Sequence, residues 1–124
     1  MKKQFIILLI ATLLVSAYAI LHSSSTEAAP HTEVSYTRDV QPILESRCAK
    51  CHMGDFVSEG LDMNTYETLL AGSQNGPVIV PGDANDSLLI EKVVEGDMPK
   101  RGPKLTPLQI QTLKDWINAG ALNN

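Results

Sequence analysis

The chain lacks most of what would build several common kinds of protein. It has two cysteines in 124 residues, both between positions 48 and 52, so no disulfide framework can hold it. A bridge between those two would close a tiny loop and stabilise little. Aromatic residues make up 5%. Beyond the first 21 residues they are Tyr36, Phe56, Tyr66 and Trp116, a sparse aromatic core that a large buried apolar group would help to fill. Positive charge is in deficit, with 10 lysines and arginines against 14 acids and a net charge of −4, which argues against nucleic acid as a partner. Such a surface keeps a protein soluble and is open to a basic partner. There is no sustained apolar/polar alternation, no hairpin signal and no internal repeat, so neither a sheet nor a repeat array is expected.

What is present starts with an export pattern. Lys2 and Lys3 precede an apolar stretch from Phe5 to Leu21, broken only by Thr12 and Ser16. Ala17-Tyr18-Ala19 is a small-x-small cleavage signal. At 17 residues the stretch fits either a signal peptide or a short membrane anchor. The expected organisation is a signal peptide or anchor over 1–21, a flexible polar linker over 22–35 and one small domain over 36–124. The location expected is periplasmic, or the extracytoplasmic face of the cytoplasmic membrane, either free or attached through residues 5–21.

The cysteines lie in Cys48-Ala49-Lys50-Cys51-His52. On a helical turn, positions i, i+3 and i+4 share one face. Two thiols so placed reach the two vinyl groups of one haem, and His52 falls under the same ring as an iron ligand. Export matters here because outside the cytoplasm neighbouring thiols are oxidised or occupied.

The rest of the chain reads as all-helical. A helix is expected from Arg38 to about Ser46, with Thr37 as N-cap, Pro42 near the first turn, and Val40, Ile43, Leu44 and Arg47 at helical spacing. A short helix begins near Thr65 and ends before Gly72, burying Leu69 and Leu70. Val78-Ile79-Val80 is an apolar run in a turn-rich loop, suited to lining a pocket. Asp83 is expected to cap a helix from Ala84 to Val94 that buries Leu88, Leu89, Ile90 and Val93. The last helix has Thr106 as N-cap, Pro107 at N1, Gln109 completing a capping box and Gly120 as terminator. Its apolar face is expected to pack against the first helix.

Iron held by His52 needs a second axial ligand. Met53 is adjacent to His52 and on the wrong side of the ring. Met63 follows by 11 residues, too little chain to wrap a porphyrin. Met98 lies 46 residues downstream in a loop, before Pro99, and has enough chain to cross to the far face. His31 is an alternative in the polar segment, and His22 a weaker one. Lys100, Arg101 and Lys104 follow Met98. They read as a solvated basic loop, with pairing to a propionate or a docking patch as alternatives.

These stretches together resemble the small class I-like monohaem c-type cytochromes of the planctomycete-type cytochrome c domain family. The resemblance spans about Tyr36 to Leu122. It is carried by Asp39-Val40-Gln41-Pro42-Ile43-Leu44, the Cys48–His52 motif, Gly60-Leu61-Asp62-Met63, Val80-Pro81-Gly82-Asp83, Ser87-Leu88-Leu89-Ile90, Met98-Pro99, Leu105-Thr106 and Asp115-Trp116-Ile117-Asn118-Ala119-Gly120-Ala121. It implies an all-α fold of four to five short helices wrapped around one covalent haem c. It implies Cys48 and Cys51 as attachment sites, His52 as proximal and Met98 as distal iron ligand, and electron transfer rather than enzymatic turnover. Met63 departs from the family, which usually has an aliphatic residue there. The partners expected are redox proteins that donate and accept single electrons. The rival readings are a haem-based sensor or small-ligand binder, which needs a labile sixth site, and a thiol–disulfide oxidoreductase, which would want a βαβ context. One cysteine pair and one histidine fall short of a closed zinc site.

Overall fold

The computed structural model describes residues 33–124. The export segment, its cleavage site, His22, His31 and most of the linker lie outside the described residues. The described part is built from five α-helices. They are α1 (Gln41–Arg47), α2 (Ala49–His52), α3 (Tyr66–Ala71), α4 (Leu88–Val94) and α5 (Pro107–Asn118). Among the described residues there is no strand, and a lone bridge pairs Ser73 with Gly76. No helix among them is long and apolar enough to cross a membrane. The all-helical expectation and the helix count therefore hold.

The first helical segment starts earlier than expected. Ser35, not Thr37, is the cap: its hydroxyl accepts from Arg38 N–H at 3.3 Å, and Asp39 reaches back to accept from Ser35 N–H at 2.8 Å. A π-helical turn over Tyr36–Val40 follows, in which Gln41 N–H bonds the Tyr36 carbonyl, one residue wider than an α turn. Pro42, with no N–H to give, then sits in the first turn of α1, where its missing bond costs least. Val40, Ile43 and Leu44 are buried as the spacing predicts.

Helix α3 is framed by a reciprocal capping box between Thr65 and Thr68, and Gly72 ends it at φ +89°. A Cβ at Gly72 would stand 2.6 Å from the Gly76 carbonyl oxygen, so only glycine fits. Leu69 is fully buried and Leu70 half-buried.

Asp83 does not cap α4. Its carboxylate accepts from Asn85 N–H at 3.0 Å and Asp86 N–H at 3.1 Å, closing a turn. The helix starts four residues later, after Ser87. The Ser87 hydroxyl is engaged elsewhere: it accepts from Val80 N–H at 2.9 Å and donates to the Asp83 carbonyl at 2.8 Å. That pins the Val78–Val80 run against the start of α4. Leu89, Ile90 and Val93 are buried, whereas Leu88 remains partly exposed.

Helix α5 has the boundaries read from sequence, with Thr106 and Gln109 in a reciprocal box and Pro107 at its start. It packs on α4 and on the π-helical turn. Trp116 lies at the centre, 1% exposed, with the Tyr36 ring 5.5 Å away and Tyr66 edge-on to Tyr36 at 5.2 Å. Asn124 ties the end of the domain to its beginning: its carbonyl accepts from Ser35 Oγ at 2.7 Å and Thr37 N–H at 3.1 Å, and its side chain accepts from Tyr36 N–H at 2.9 Å.

Candidate functional site

Cys48 stands at the joint between α1 and α2. It continues the first helix by donating to the Leu44 carbonyl at 2.8 Å, and its own carbonyl accepts from Cys51 N–H at 3.1 Å and His52 N–H at 3.0 Å. This single turn sets Cys48, Cys51 and His52 along one wall of a mostly apolar cavity of about 360 Å³. The size is that of a small-molecule or cofactor site. No disulfide joins the two cysteines; Cys48 is half-buried and Cys51 exposed.

The His52 ring is oriented from behind. Its Nδ1 lies 3.2 Å from the Leu61 carbonyl oxygen. A carbonyl only accepts, so Nδ1 is the donor here, and Nε2 is the nitrogen left to face a ligand. The loop that brings Leu61 there is closed by Asn64, whose side chain accepts from Gly54 N–H at 2.9 Å and donates to the Gly54 carbonyl at 3.2 Å. The His52 carbonyl accepts in turn from Met63 N–H at 2.7 Å.

Met98 lines the same cavity, half-buried, from the loop after α4. Its N–H donates to the Lys92 carbonyl at 3.0 Å, while the Lys92 ammonium reaches Asp97 at 3.1 Å. The next peptide, Met98–Pro99, is cis, and the Pro99 carbonyl accepts from the Lys104 ammonium. The four residues singled out in the sequence thus face one cavity from two stretches 46 residues apart. Met63 also lines it and is 4% exposed, whereas Met53 packs on the core without lining it. Val78 lines it as well, which is what its apolar run suggested; Ile79 is in the core.

The charge around the cavity is not that of the chain as a whole. Of the ten lysines and arginines, Arg47, Lys50, Lys92, Lys100 and Arg101 line it, against one carboxylate, Glu59. Lys92 is held by Glu91, Asp97 and Glu95, which keep its ammonium protonated above the ordinary lysine range. Arg47 was missed as a site residue. It belongs to the apolar stripe of α1, three residues after Leu44, and a cation at that register is the signal that could have found it. Its Nε is buried and without a hydrogen-bond partner among the described residues.

Burial pushes the Cys48 thiol up to about 11, with the neighbouring Cys51 adding to the shift. Among the described residues there is no strand to supply the βαβ context that a thiol–disulfide oxidoreductase would want. Among the described residues no three His, Cys, Asp or Glu side chains gather as a metal-ion site.

The donor set fits a haem c: two thiols and an imidazole on one face, a thioether from another stretch, and an apolar lining between them. Neither curated proteins nor solved structures returned a match to the chain. The family model described as Planctomycete cytochrome C matches residues 48–102, from the first cysteine to just beyond Met98. The matched stretch is narrower than the Tyr36–Leu122 span of the resemblance, and it holds all four candidate site residues. Residues 48–102 are thus similar to a planctomycete-type cytochrome c domain, and the helical architecture around them is consistent with one.

Proposed function

We propose that the protein is an exported electron carrier with one haem c, attached through Cys48 and Cys51 and ligated at iron by His52 and Met98. The observation that carries this reading is that these four side chains line one apolar cavity although Met98 is 46 residues from His52. The bound haem would supply one-electron iron(II)/iron(III) exchange.

The chain's own residues have distinct tasks in this reading. The Leu61 carbonyl holds the His52 ring in the tautomer that offers Nε2, and accepting its proton makes the imidazole a stronger donor. The Lys92 carbonyl holds the backbone of Met98, so the thioether is presented from an anchored loop. Leu44, Met63, Val78 and Val93 keep the cavity dry, which favours a stable, water-excluded cofactor. The unpartnered Nε of Arg47 suits an occupant that carries carboxylates, as haem does. The Lys2-Lys3 and Phe5–Leu21 pattern supports export, with the segment either cleaved or kept as a membrane attachment. The partners are redox proteins that hand over and take up single electrons.

The test is haem staining of the protein after denaturing electrophoresis, followed by spectroscopy of Met98→Ala. The parent should retain haem covalently, and replacing both cysteines should abolish this. Met98→Ala should lower the midpoint potential and let the reduced protein bind carbon monoxide. A parent with no covalent haem sinks the reading, and a Met98→Ala variant matching the parent in spectrum and potential removes Met98 from it.

A further inference from the structure

Lys92 reaches the Met98 segment with both its main chain and its side chain. Its carbonyl accepts from Met98 N–H at 3.0 Å, and its ammonium pairs with Asp97, the residue before Met98, at 3.1 Å. The chain can make both contacts because it turns back at Gly96, where φ is +79°. Lys92 is half-buried and lines the cavity, whereas Asp97 is exposed. A lysine spans the two by laying its stem along apolar surface and keeping its charged head in water. Glu91 and Glu95 also hold the ammonium, at 3.1 Å and 3.4 Å. Glu91 lies inside α4 and Glu95 caps its end, so those two pairs concern the helix. Asp97 lies beyond it, and its pair ties the helix to the loop that presents the thioether.

We propose that Lys92 is a positioning residue for the Met98 thioether, and that its pair with Asp97 keeps the sixth iron position closed to small ligands such as imidazole. The proposal rests on the haem reading above. An ion pair open to water stabilises little, so its loss loosens the thioether without freeing it. A competing ligand measures that loosening directly, because its apparent affinity scales with the fraction of protein in which the position stands open. Salt acts on the pair and not on a neutral ligand. The screening length falls to about 3 Å at 1 M salt, which is the span of this pair.

The test is spectroscopic titration of the oxidised, haem-loaded protein with imidazole, at a pH where imidazole is neutral. Asp97→Asn should raise the affinity by about threefold, and Lys92→Gln by about as much. Lys92→Arg, which keeps the charge, should match the parent. Glu91→Gln, which removes a pair lying inside the helix, should match it too. Raising salt from about 0.01 M to about 1 M should raise the affinity of the parent and leave that of Asp97→Asn unchanged. Asp97→Asn binding imidazole no more tightly than the parent overturns the proposal. So does an equal rise in Glu91→Gln, which would assign Lys92 to helix stability alone. Should the variants fail to fold, the parent decides by itself, and an affinity that ignores salt overturns the proposal. A parent without covalent haem, or a Met98→Ala variant that binds imidazole no more tightly than the parent, instead overturns the underlying functional reading, so the two failures are told apart.

Discussion

The phenolic hydroxyl of Tyr66 donates a 2.7 Å hydrogen bond to the carbonyl oxygen of Ala121. Ala121 is fully buried and holds φ at +52°, a left-handed conformation that alanine adopts only at a cost. Tyr66→Phe keeps the edge-on packing against Tyr36 and leaves that carbonyl without its donor. The expected loss is about 1–3 kcal/mol, the cost of an unmet buried acceptor. Thermal unfolding of the haem-loaded protein should show it as a lowered Tm with an unchanged visible spectrum.

Ser87 serves two main-chain groups with one hydroxyl, Val80 N–H and the Asp83 carbonyl, and is 1% exposed. Ser87→Ala strips both partners at once. The expected destabilisation is about 1–3 kcal/mol, because the groups are left buried and unmet. Asp83→Ala, whose carboxylate serves only a turn exposed to solvent, should cost less. Denaturant unfolding of the two variants side by side reads the difference, and equal losses would mean that Asp83 caps the helix after all.

Acid should weaken the start of the domain through Asp39. Its hydrogen bond from Arg38, then its bond from Ser35 N–H, holds the carboxyl below its ordinary 3.8. A carboxyl lowered in the folded state stabilises at pH values above the unfolded pKa, and that contribution is lost as pH falls through the folded pKa. The window therefore lies below about pH 4. Asp39→Asn should be less stable at neutral pH and should show a flatter decline of Tm in that window. A variant whose pH profile parallels the parent's down to pH 2 (roughly the low end for paired carboxylates) would remove Asp39 from acid unfolding.

That the candidate residues would gather was legible in the sequence, because it depends on side chains at fixed spacing. Cys48, Cys51 and His52 need only one turn to share a face, and Met98 needed only a loop of sufficient length. Helix α5 was legible for the same reason: Thr106, Pro107 and Gln109 act on their immediate neighbours. Asp83 misled because its side chain bonds equally well in an isolated turn, and what decides between turn and helix is the distant Val80 N–H that occupies Ser87. The early start at Ser35 was hidden because a π-helical turn has no simple sequence period. Arg47 stood in plain view on an apolar stripe, but its unpartnered nitrogen is a property of packing.

The bond from His52 to Leu61 has a consequence for variation. Its acceptor is a main-chain oxygen, so no exchange of the side chain at 61 can delete it. Sequence drift at that position is shielded from the imidazole, and what can alter it is the course of the loop, which Asn64 and Gly54 hold shut. Residues that never border the cavity thus become its fine adjustment. An engineer wishing to turn the His52 ring by small steps would work at 54 and 64 and leave the lining alone.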